Sequence, residues 1–348
     1  TRRRRRKGKV KMAQFFPELK EDFKRLLKAA AGKKIAVAGQ MRPGGDCISS
    51  QFALADILRE CGAEEVVCLN QNPLPYLYEH FAYGSKLQSA AEFCDDSFEI
   101  VTVDCADYKR TNLELCSRFP SPLGCIDHHA TNNTYAKINI IDTRASATAE
   151  LIAGMAFDAG LKISKENANR LYMGIVMDTR QFTTSSVRTQ TFEVATALVK
   201  SGADAAWVAV ELYQRERFEK MKLLALYLQS MTMHFDGRVC VGVLPADAYT
   251  STGAEKADSD GLVDYARAVN GVEIAVLLEA LPNGVKGSLR GKGPQYMVND
   301  LAAKFGGGGH MAAAGFTAEG YDLNTLYPKM LSLIEEHLLN LDKLNSKI

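Results

Sequence analysis

Short apolar runs alternate with stretches of helical spacing over the first half of the chain. KIAVAG, EVVCLN, FEIVTVD and PLGCID have the length and composition of buried strands, whereas ISSQFALADILRECG repeats its apolar residues at helical spacing. Alternation of this kind is typical of βαβ units. The sequence therefore predicts an α/β fold whose N-terminal domain is built on a parallel sheet.

The pattern turns helical after residue 145 and becomes rich in strands again near residue 238. We expect the helical stretch from about Ala205 to Met231 to bridge the two parts as one helix. VEIAVLLEAL and GVKGSLRG follow, parted by the turn residues 282–284, which predicts a hairpin. The predicted parts are a catalytic domain over residues 13–200, a helical linker over 201–235 and a smaller α/β substrate-binding domain over 236–348.

Charge is distributed unevenly along the chain. Residues 1–11 hold eight basic residues and no acid, and without them 34 basic residues stand against 41 acidic ones. We expect residues 1–12 to be a disordered tail or an artefact of expression or upstream read-through. The mildly acidic remainder argues against a long nucleic-acid track and favours small substrates handled through metal ions.

The eight cysteines form no CxxC pair and mostly lie in apolar runs, so we expect buried thiols and no disulfides. No apolar run reaches the roughly 18 residues that a membrane span needs. A soluble protein in a reducing cytoplasm, without a membrane partner, is the simplest expectation. The sequence leaves the oligomeric state open, a homodimer included.

Polar side chains stand where several predicted strands end. Gln40 and Asp104 each follow an apolar run, and the run GCI ends in Asp127, His128 and His129. Three consecutive titratable side chains are hard to justify by packing, although a hydrogen-bonded strand end is the alternative. Because ligands gather at the carboxyl ends of parallel strands, this sheet edge is the predicted active site.

Two further carboxylates belong to the same expectation. Asp178 follows LYMGIVM, and Asp46 lies in the Pro-Gly-Gly turn after the first strand. Either could instead be only a helix cap or a turn residue. Together with Asp104 and His128 they make a set of oxygen and nitrogen donors without thiolates, which suits Mn²⁺ or Mg²⁺ better than structural zinc.

The C-terminal domain carries FGGGGHMAAAG at residues 305–315. Four glycines allow positive φ and close approach to a ligand, and successive NH groups can form an anion nest. A flexible loop is the alternative. Arg290, at the end of GVKGSLR, is a bidentate phosphate partner in the same domain, so we expect this region to bind substrate.

Several candidate residues and motifs follow one another along the chain: Asp46, Asp104, DHH at 127–129, Asp178 and GGGGH at 306–310. Their order and spacing resemble those of the DHH family of phosphoesterases, with its DHH-associated C-terminal domain. The resemblance covers about residues 20–345. It is strongest to the branch of nano-RNases and 3′-phosphoadenosine 5′-phosphate phosphatases. It implies hydrolysis of phosphate from small nucleotides or very short single-stranded oligonucleotides, with two metal ions, usually Mn²⁺.

The resemblance also implies catalytic and metal-binding roles. Asp104 would bridge the two ions, while Asp46, His128 and Asp178 would complete one of the two sites.

For the substrate, the resemblance implies that His129 contacts phosphate and that Asp127 orients His128. Arg290 would hold the rest of the nucleotide together with the loop residues Gly307, Gly308, Gly309 and His310.

The first motif departs from the family pattern, which has His, three residues, Asp, one residue and Asp. This chain has Gln40, Gly44 and Asp46 at those positions. Apart from Asp104, the other site keeps at best the weak amide oxygen of Gln40. We therefore expect one ion to bind strongly and the second weakly or not at all.

Three functions remain open from the sequence. The first is a phosphoesterase with an incomplete pair of metal sites. The second is a protein of the same fold that senses a nucleotide without cutting it. The third is an inorganic pyrophosphatase of the related class, against which the GGGGH loop argues. The intact Asp46, Asp104, His128, His129 and Asp178 favour the enzyme.

Overall fold

The computed structural model describes residues 14–293 and 295–345, so the predicted basic tail at residues 1–12 lies outside the described residues. The chain divides into two compact units between Arg215 and Glu216. We call them the N-terminal and the C-terminal unit. None of the helices in the described ranges has the length and apolar character needed to cross a bilayer.

The N-terminal unit is built on one sheet of six strands. They are β1 (Lys34–Gly39), β2 (Glu65–Asn70), β3 (Leu87–Ser89), β4 (Phe98–Val103), β5 (Gly124–Asp127) and β6 (Ile138–Ile141). The order is β3-β2-β1-β4-β5-β6 and every neighbouring pair is parallel, which confirms the predicted parallel sheet. The chain turns outward in both directions from β1 and β4. A crevice for ligands forms at such a switch point, at the carboxyl ends of the strands.

Helices cover both faces of this sheet. They are α1 (Lys20–Ala30), α2 (Gly45–Glu60), α3 (Leu113–Arg118), α4 (Thr148–Asp158), α5 (Lys165–Asp178), α6 (Thr189–Lys200) and α7 (Ala205–Tyr213), with short 3₁₀ helices at Tyr76–Phe81 and Tyr108–Arg110. Thirteen of the sixteen residues of α2 are buried, because α4 and α5 pack against it on the side away from the sheet. This helix therefore holds its first turn firmly at the crevice.

The predicted single bridging helix is wrong. The structure has two helices in this stretch, α7 and α8 (Phe218–Ser230), separated by residues 214–217. This segment, QRER, consists of four polar residues that are exposed or only partly buried, so it has no apolar side to pack in a continuous helix. The division between the two units falls inside this break.

The C-terminal unit contains a mixed sheet of six strands. They are β7 (Thr232–His234), β8 (Val239–Leu244), β9 (Ile274–Leu281), β10 (Gly284–Gly291), β11 (Gly308–His310) and β12 (Ala313–Glu319). The order is β11-β12-β10-β9-β8-β7, and only β8 and β9 are parallel. β9 and β10 form the predicted hairpin around Pro282 and Asn283. A second α/β unit with a mixed sheet is thus confirmed.

The remaining helices of this unit are α9 (Ala248–Thr252), α10 (Leu262–Ala268), α11 (Asn299–Ala303) and α12 (Leu323–Asn345), with a 3₁₀ helix at Lys256–Ser259. Two apolar clusters fill the two sides of the sheet. One contains residues of α11 and α12, and the other contains residues of α8 and α10.

Candidate active site

Gln40 and Asp104 lie side by side at the switch point of the N-terminal sheet. β1 and β4 are paired up to Gly39 and Val103, so the next residue of each strand leaves the sheet at the same place. The amide nitrogen Nε2 of Gln40 donates a hydrogen bond to Oδ2 of Asp104 over 3.2 Å. The predicted convergence of polar residues at this sheet edge is therefore present.

Asp104 adopts a backbone conformation that aspartate visits rarely. Its φ is +51°, and its side chain is only 6% exposed. Left-handed backbone costs a non-glycine residue of the order of 1 kcal/mol or more, and such strain is concentrated at functional sites. The turn aims the carboxylate across the ends of β4 and β5. There its Oδ1 lies 3.4 Å from the hydroxyl of Thr148.

Asp46 belongs to the first turn of α2 rather than to the preceding connection. Its two oxygens accept hydrogen bonds from the backbone NH groups of Thr148 and Ala149, at 2.7 and 2.8 Å. These NH groups open α4, which the buried Asp46 therefore caps from a distant part of the chain. Asp46 thus acts as a cap, of α4 rather than of its own helix, and its role as a metal ligand stays a prediction.

The two histidines that end β5 are held by different partners. His129 Nδ1 lies 2.7 Å from Oδ1 of Asp127, whereas His128 Nδ1 lies 3.2 Å from the carbonyl oxygen of Ala145. Asp127 contacts His128 only through the backbone NH of that residue. The structure thus corrects one expectation, since Asp127 orients the ring of His129 and a carbonyl orients the ring of His128.

Asp178, the last residue of α5, completes the group. Its Oδ2 lies 3.3 Å from Nε2 of His128, and the same nitrogen lies 3.8 Å from Oδ1 of Asp104. The Asp178 side chain is 40% exposed, while that of His128 is 14% exposed. The group therefore opens to solvent on the Asp178 side.

Four carboxylates converge here, and their pKa values reflect it. Burial raises the pKa of Asp104 well above its usual range, and the charges of Asp46, Asp178 and Asp127 raise it further. Burial and the Asp46 charge raise the pKa of Asp178 to about 6. Burial is the largest single influence on the pKa of Asp127 and acts to raise it, but the hydrogen bonds with His129 and Asn132 and the charges of the two histidines together outweigh burial and leave this pKa lowered.

Two sets of donor atoms could hold a cation, and both lie within the described residues. Asp46, His128 and Asp178 form one set, and Asp104, His128 and His129 form the other, with the donor atoms of each set within 4.8 Å of one another. The first set, with two carboxylates and a single imidazole nitrogen, suits Mn²⁺ or Mg²⁺. The concentrated negative charge fits a divalent ion as well. These residues therefore fit the metal that the family resemblance implies.

The other predicted metal site does not fit in the same way. Gln40 directs its amide nitrogen, a donor, at Asp104, so its oxygen is turned away from that carboxylate. Gly44 is the N-cap of α2, with φ −78° and ψ 177°, and offers no side-chain ligand. Around Gly44 there is open space, with no atom within 4 Å of an added Cβ.

The predicted substrate residues Arg290 and His310 lie at the same register position of the C-terminal sheet. Arg290 of β10 and His310 of β11 both pair with Ala313 on the strand between them. Gly306 and Gly309 have φ of +73° and +148°. An added Cβ at Gly309 would lie 2.5 Å from the Ala313 carbonyl oxygen, so the backbone of β12 requires glycine at this position. The loop is therefore an ordered edge strand rather than a flexible connection.

Two contributors were missed at the sequence level. Thr148 contacts Asp46 through its NH and Asp104 through its hydroxyl. Asn132 donates from Nδ2 to Oδ2 of Asp127 over 2.8 Å and so fixes the partner of His129. Asn132 lies five residues beyond Asp127, and this spacing after a strand end was the available signal.

Comparisons with known proteins show the family of this chain. A family model described as the DHH family, N-terminal domain, matches residues 34–175, and one described as the DHHA1 domain matches residues 236–338. The chain is 30% identical to the bifunctional oligoribonuclease and PAP phosphatase NrnA of Thermus thermophilus, over 90% of this chain and 92% of that protein. The Bacillus subtilis protein of the same name is 26% identical, over 85% and 93%.

Among solved structures, an exopolyphosphatase-related protein from Bacteroides fragilis superposes with a TM-score of 0.82. The two chains are 23% identical, and the match covers 94% of this chain and 97% of the other. At this identity the likeness shows a shared fold.

Proposed function

Because this chain belongs to the DHH family of phosphoesterases, we propose that it is a metal-dependent hydrolase that removes phosphate from small nucleotides of the 3′-phosphoadenosine 5′-phosphate type and cleaves very short oligonucleotides. The names of the NrnA relatives support the two substrate classes. The observation that carries the proposal is the convergence of Asp104, His128 and Asp178 at the switch point.

In this proposal, some residues of the N-terminal unit bind the metal ion and others bind the substrate. Asp46, Asp104, His128 and Asp178 would hold a divalent ion, which when bound lowers the pKa of water and neutralises phosphate charge. Ala145 keeps His128 in place by binding its Nδ1, so Nε2 faces the carboxylates. This arrangement fixes the donor atoms before any ion arrives.

His129 is the substrate-facing histidine in this proposal. Asp127 accepts a hydrogen bond from its Nδ1, which leaves Nε2 for a phosphate oxygen. The His129 side chain is 35% exposed, against 14% for His128, so a ligand can reach it. Asn132 in turn holds Asp127. The series of hydrogen bonds from Asn132 through Asp127 to His129 thus orients one imidazole toward the substrate.

We further propose that one ion binds strongly and a second binds weakly. The first site has four protein ligands, whereas the second would share Asp104 and gain nothing from Gln40 and Gly44. The hydrogen bond from Gln40 to Asp104 supports this difference, because it occupies an oxygen that the second ion would need.

A nucleotide-binding protein that does not cut is the second candidate. The hydrogen bond from Gln40 to Asp104 favours this second candidate, because a neutral amide lies where the family resemblance expects a metal ligand. The four protein ligands of the first site favour hydrolysis, because nucleotide binding alone does not require a buried Asp104 with strained backbone beside two histidines.

One assay separates the candidates. The purified chain is incubated with Mn²⁺ and, in turn, 3′-phosphoadenosine 5′-phosphate, pApA, short RNA oligomers and pyrophosphate. Release of phosphate or mononucleotide from the first three is expected, and it should be lost in the Asp104→Asn variant. Binding of these ligands without turnover of any of them would identify the sensor. Turnover of pyrophosphate alone would contradict both.

A further inference from the structure

The carbonyl group that holds His128 belongs to a peptide group whose NH is held in turn. His128 Nδ1 lies 3.2 Å from the carbonyl oxygen of Ala145, and because that oxygen can only accept, the ring nitrogen is the donor. The NH of the same peptide group is that of Ser146, and it donates to Oε2 of Glu150 over 2.8 Å. One peptide group therefore links the Glu150 side chain to the imidazole.

This series of hydrogen bonds is closed to solvent. The exposed fractions of Glu150, Ser146 and Ala145 are 0%, 1% and 2%. Water therefore cannot replace Glu150 as the acceptor for the Ser146 NH. In such surroundings consecutive hydrogen bonds polarise one another, so an acceptor at the NH of a peptide group increases the electron density on its carbonyl oxygen. The Ala145 oxygen is thus a stronger acceptor for His128 than an isolated carbonyl would be.

Glu150 is itself fixed at one oxygen. The hydroxyl groups of Ser146 and Thr191 also donate to Oε2, the second of them from α6 over 3.1 Å. Oε1 has no hydrogen-bond partner among the residues that the structure describes. Because its donors gather at Oε2, the side chain is held with this oxygen at the Ser146 NH.

The first turn of α4 contacts two other predicted ligands of the ion. Its first two NH groups donate to Asp46, and its threonine hydroxyl lies 3.4 Å from Asp104. Glu150 lies in the same turn and reaches back to Ser146, which precedes the helix. It thus joins the segment that holds His128 to the turn that contacts the two carboxylates.

We propose that Glu150 is a positioning residue for the metal ion, and that it acts on His128 through the peptide group between Ala145 and Ser146. The proposal rests on the proposed function for the ion itself. A carboxylate that binds a metal-ligating histidine directly fixes the ring and makes its other nitrogen a better ligand. Here the peptide group transmits this effect, so that Nε2 of His128 stays directed at Asp178, 3.3 Å away.

The test measures the Mn²⁺ affinity of the full-length protein by electron paramagnetic resonance, which reports the free ion. Two neutral replacements of similar size separate the acceptor from the charge. Glu150→Met removes the acceptor and should weaken Mn²⁺ binding by about tenfold or more. Glu150→Gln keeps an acceptor oxygen for the Ser146 NH, so it should weaken binding less. Equal weakening in both variants would mean that only the lost charge matters, and it would overturn the proposal.

Nuclear magnetic resonance reports on the hydrogen bond of His128 itself. In protein labelled with ¹⁵N-histidine and loaded with diamagnetic Mg²⁺, the Nδ1 proton of His128 should move upfield in Glu150→Met, because its hydrogen bond to Ala145 weakens. The shift should be smaller in Glu150→Gln. A residue that only stabilises α4 would leave this resonance unchanged in both variants, and that result would overturn the proposal.

Thr191→Val is the matched control. It removes one donor to Oε2 of Glu150 and leaves the Ser146 NH in place, so it should lower the melting temperature without changing Mn²⁺ affinity. If the two Glu150 variants behave in the same way as this control, Glu150 only stabilises the fold, and the proposed function stands without this role.

Failure of this proposal differs from failure of the proposed function. Wild-type protein that binds no Mn²⁺ would overturn both. Wild-type protein that binds Mn²⁺ but turns over no substrate, with weaker binding in Glu150→Met than in Glu150→Gln, would support the role of Glu150 and exclude the hydrolase.

Discussion

The amide of Gln40 donates a hydrogen bond to Oδ2 of Asp104, 3.2 Å away, at the ends of two neighbouring parallel strands. Asp104 is also the carboxylate that the family resemblance expects to bridge two ions. An oxygen that accepts a hydrogen bond from an amide has less electron density for a cation. This single contact links the departure in the first motif to the number of ions that the site can hold.

We therefore expect one tightly bound divalent ion per chain. After exhaustive dialysis of Mn²⁺-loaded protein, elemental analysis should give about one equivalent, and a second should appear only at high free Mn²⁺. Anomalous scattering at the manganese edge would locate both ions. Two fully occupied ions with clear protein ligands would contradict this prediction.

The double change Gln40→His and Gly44→Asp should restore the second ion and raise Mn²⁺-dependent hydrolysis. Gly44 has extended backbone that any residue adopts, and its Cβ position is open. Aspartate is moreover a preferred N-cap, worth a few tenths of a kcal/mol over glycine. The added ligands are an imidazole and a carboxylate, which suit Mn²⁺.

The control for this variant is its melting curve with and without Mn²⁺. The new carboxylate enlarges an already crowded negative site, so the melting temperature should rise more with Mn²⁺ than it does for wild type. A folded double mutant that binds two ions and hydrolyses no faster would show that the second ion does not limit the reaction.

Asp178→Asn and Asp46→Asn should separate metal binding from stability. Both changes remove an anionic ligand, so each should weaken Mn²⁺ binding by more than about tenfold. Asp46 additionally accepts hydrogen bonds from two backbone NH groups at the start of α4, one at each carboxylate oxygen. An asparagine has only one side-chain oxygen, so it would keep only one of these hydrogen bonds. Only Asp46→Asn should therefore lose about 1–3 kcal/mol of unfolding free energy, measured in denaturant with a chelator present. Equal stability of the two variants would argue against the cap.

The sheet edge could be predicted because its signals are local. Each apolar run of β1, β4 and β5 ends in a polar residue, and parallel strands place such ends at one edge. Gln40, Asp104 and Asp127 were found in this way. Asp46, in the turn after the first strand, and Asp178, at the end of an apolar run, were placed in the same group from the sequence, and the family resemblance implied their roles as metal ligands.

What the sequence did not reveal depends on contacts between distant segments. Thr148 reaches Asp46 from 102 residues away, and nothing local to either residue signals it. The assignment of Asp127 to the wrong histidine has the same origin, since the partner of His128 is a carbonyl in the segment before α4. Asp264 meets Arg290 only after α10 has packed beside β10.

Gly307→Ala and Gly308→Ala, around the start of β11, should have opposite effects on the stability of the protein. At Gly307 an added Cβ would lie 2.2 Å from the carbonyl oxygen of Gly315, whereas at Gly308 no atom lies within 4 Å. Gly307→Ala should cost about 1–3 kcal/mol of unfolding free energy through overpacking. Gly308→Ala should keep or slightly raise stability, because alanine reduces the entropy of the unfolded chain. If Gly308 borders the substrate, this stable variant should still show weaker nucleotide binding.

His337, in α12, should make the C-terminal unit less stable in mild acid. It lies in a cavity that Asp300, Lys304 and Glu336 also line. Burial lowers the pKa of His337 below its ordinary value near 6.5, and the charge of Asp300 offsets this only in part. The unfolded chain therefore takes up the proton before the folded one does. The stabilising contribution is present above about pH 6.5 and is lost as the pH falls below that value.

A glutamine at this position tests the assignment, because it is neutral at every pH and favours helix. Urea unfolding of wild type and His337→Gln at pH 7.5 and at pH 5.5 gives four free energies. Wild type should lose more stability between the two pH values than the variant does, since only wild type must bind a proton at a buried imidazole. Other groups titrate in both proteins and cancel in the difference. Equal losses in the two proteins would show that His337 protonates as readily in the folded chain as in the unfolded one, and would leave the acid sensitivity of this unit to other residues.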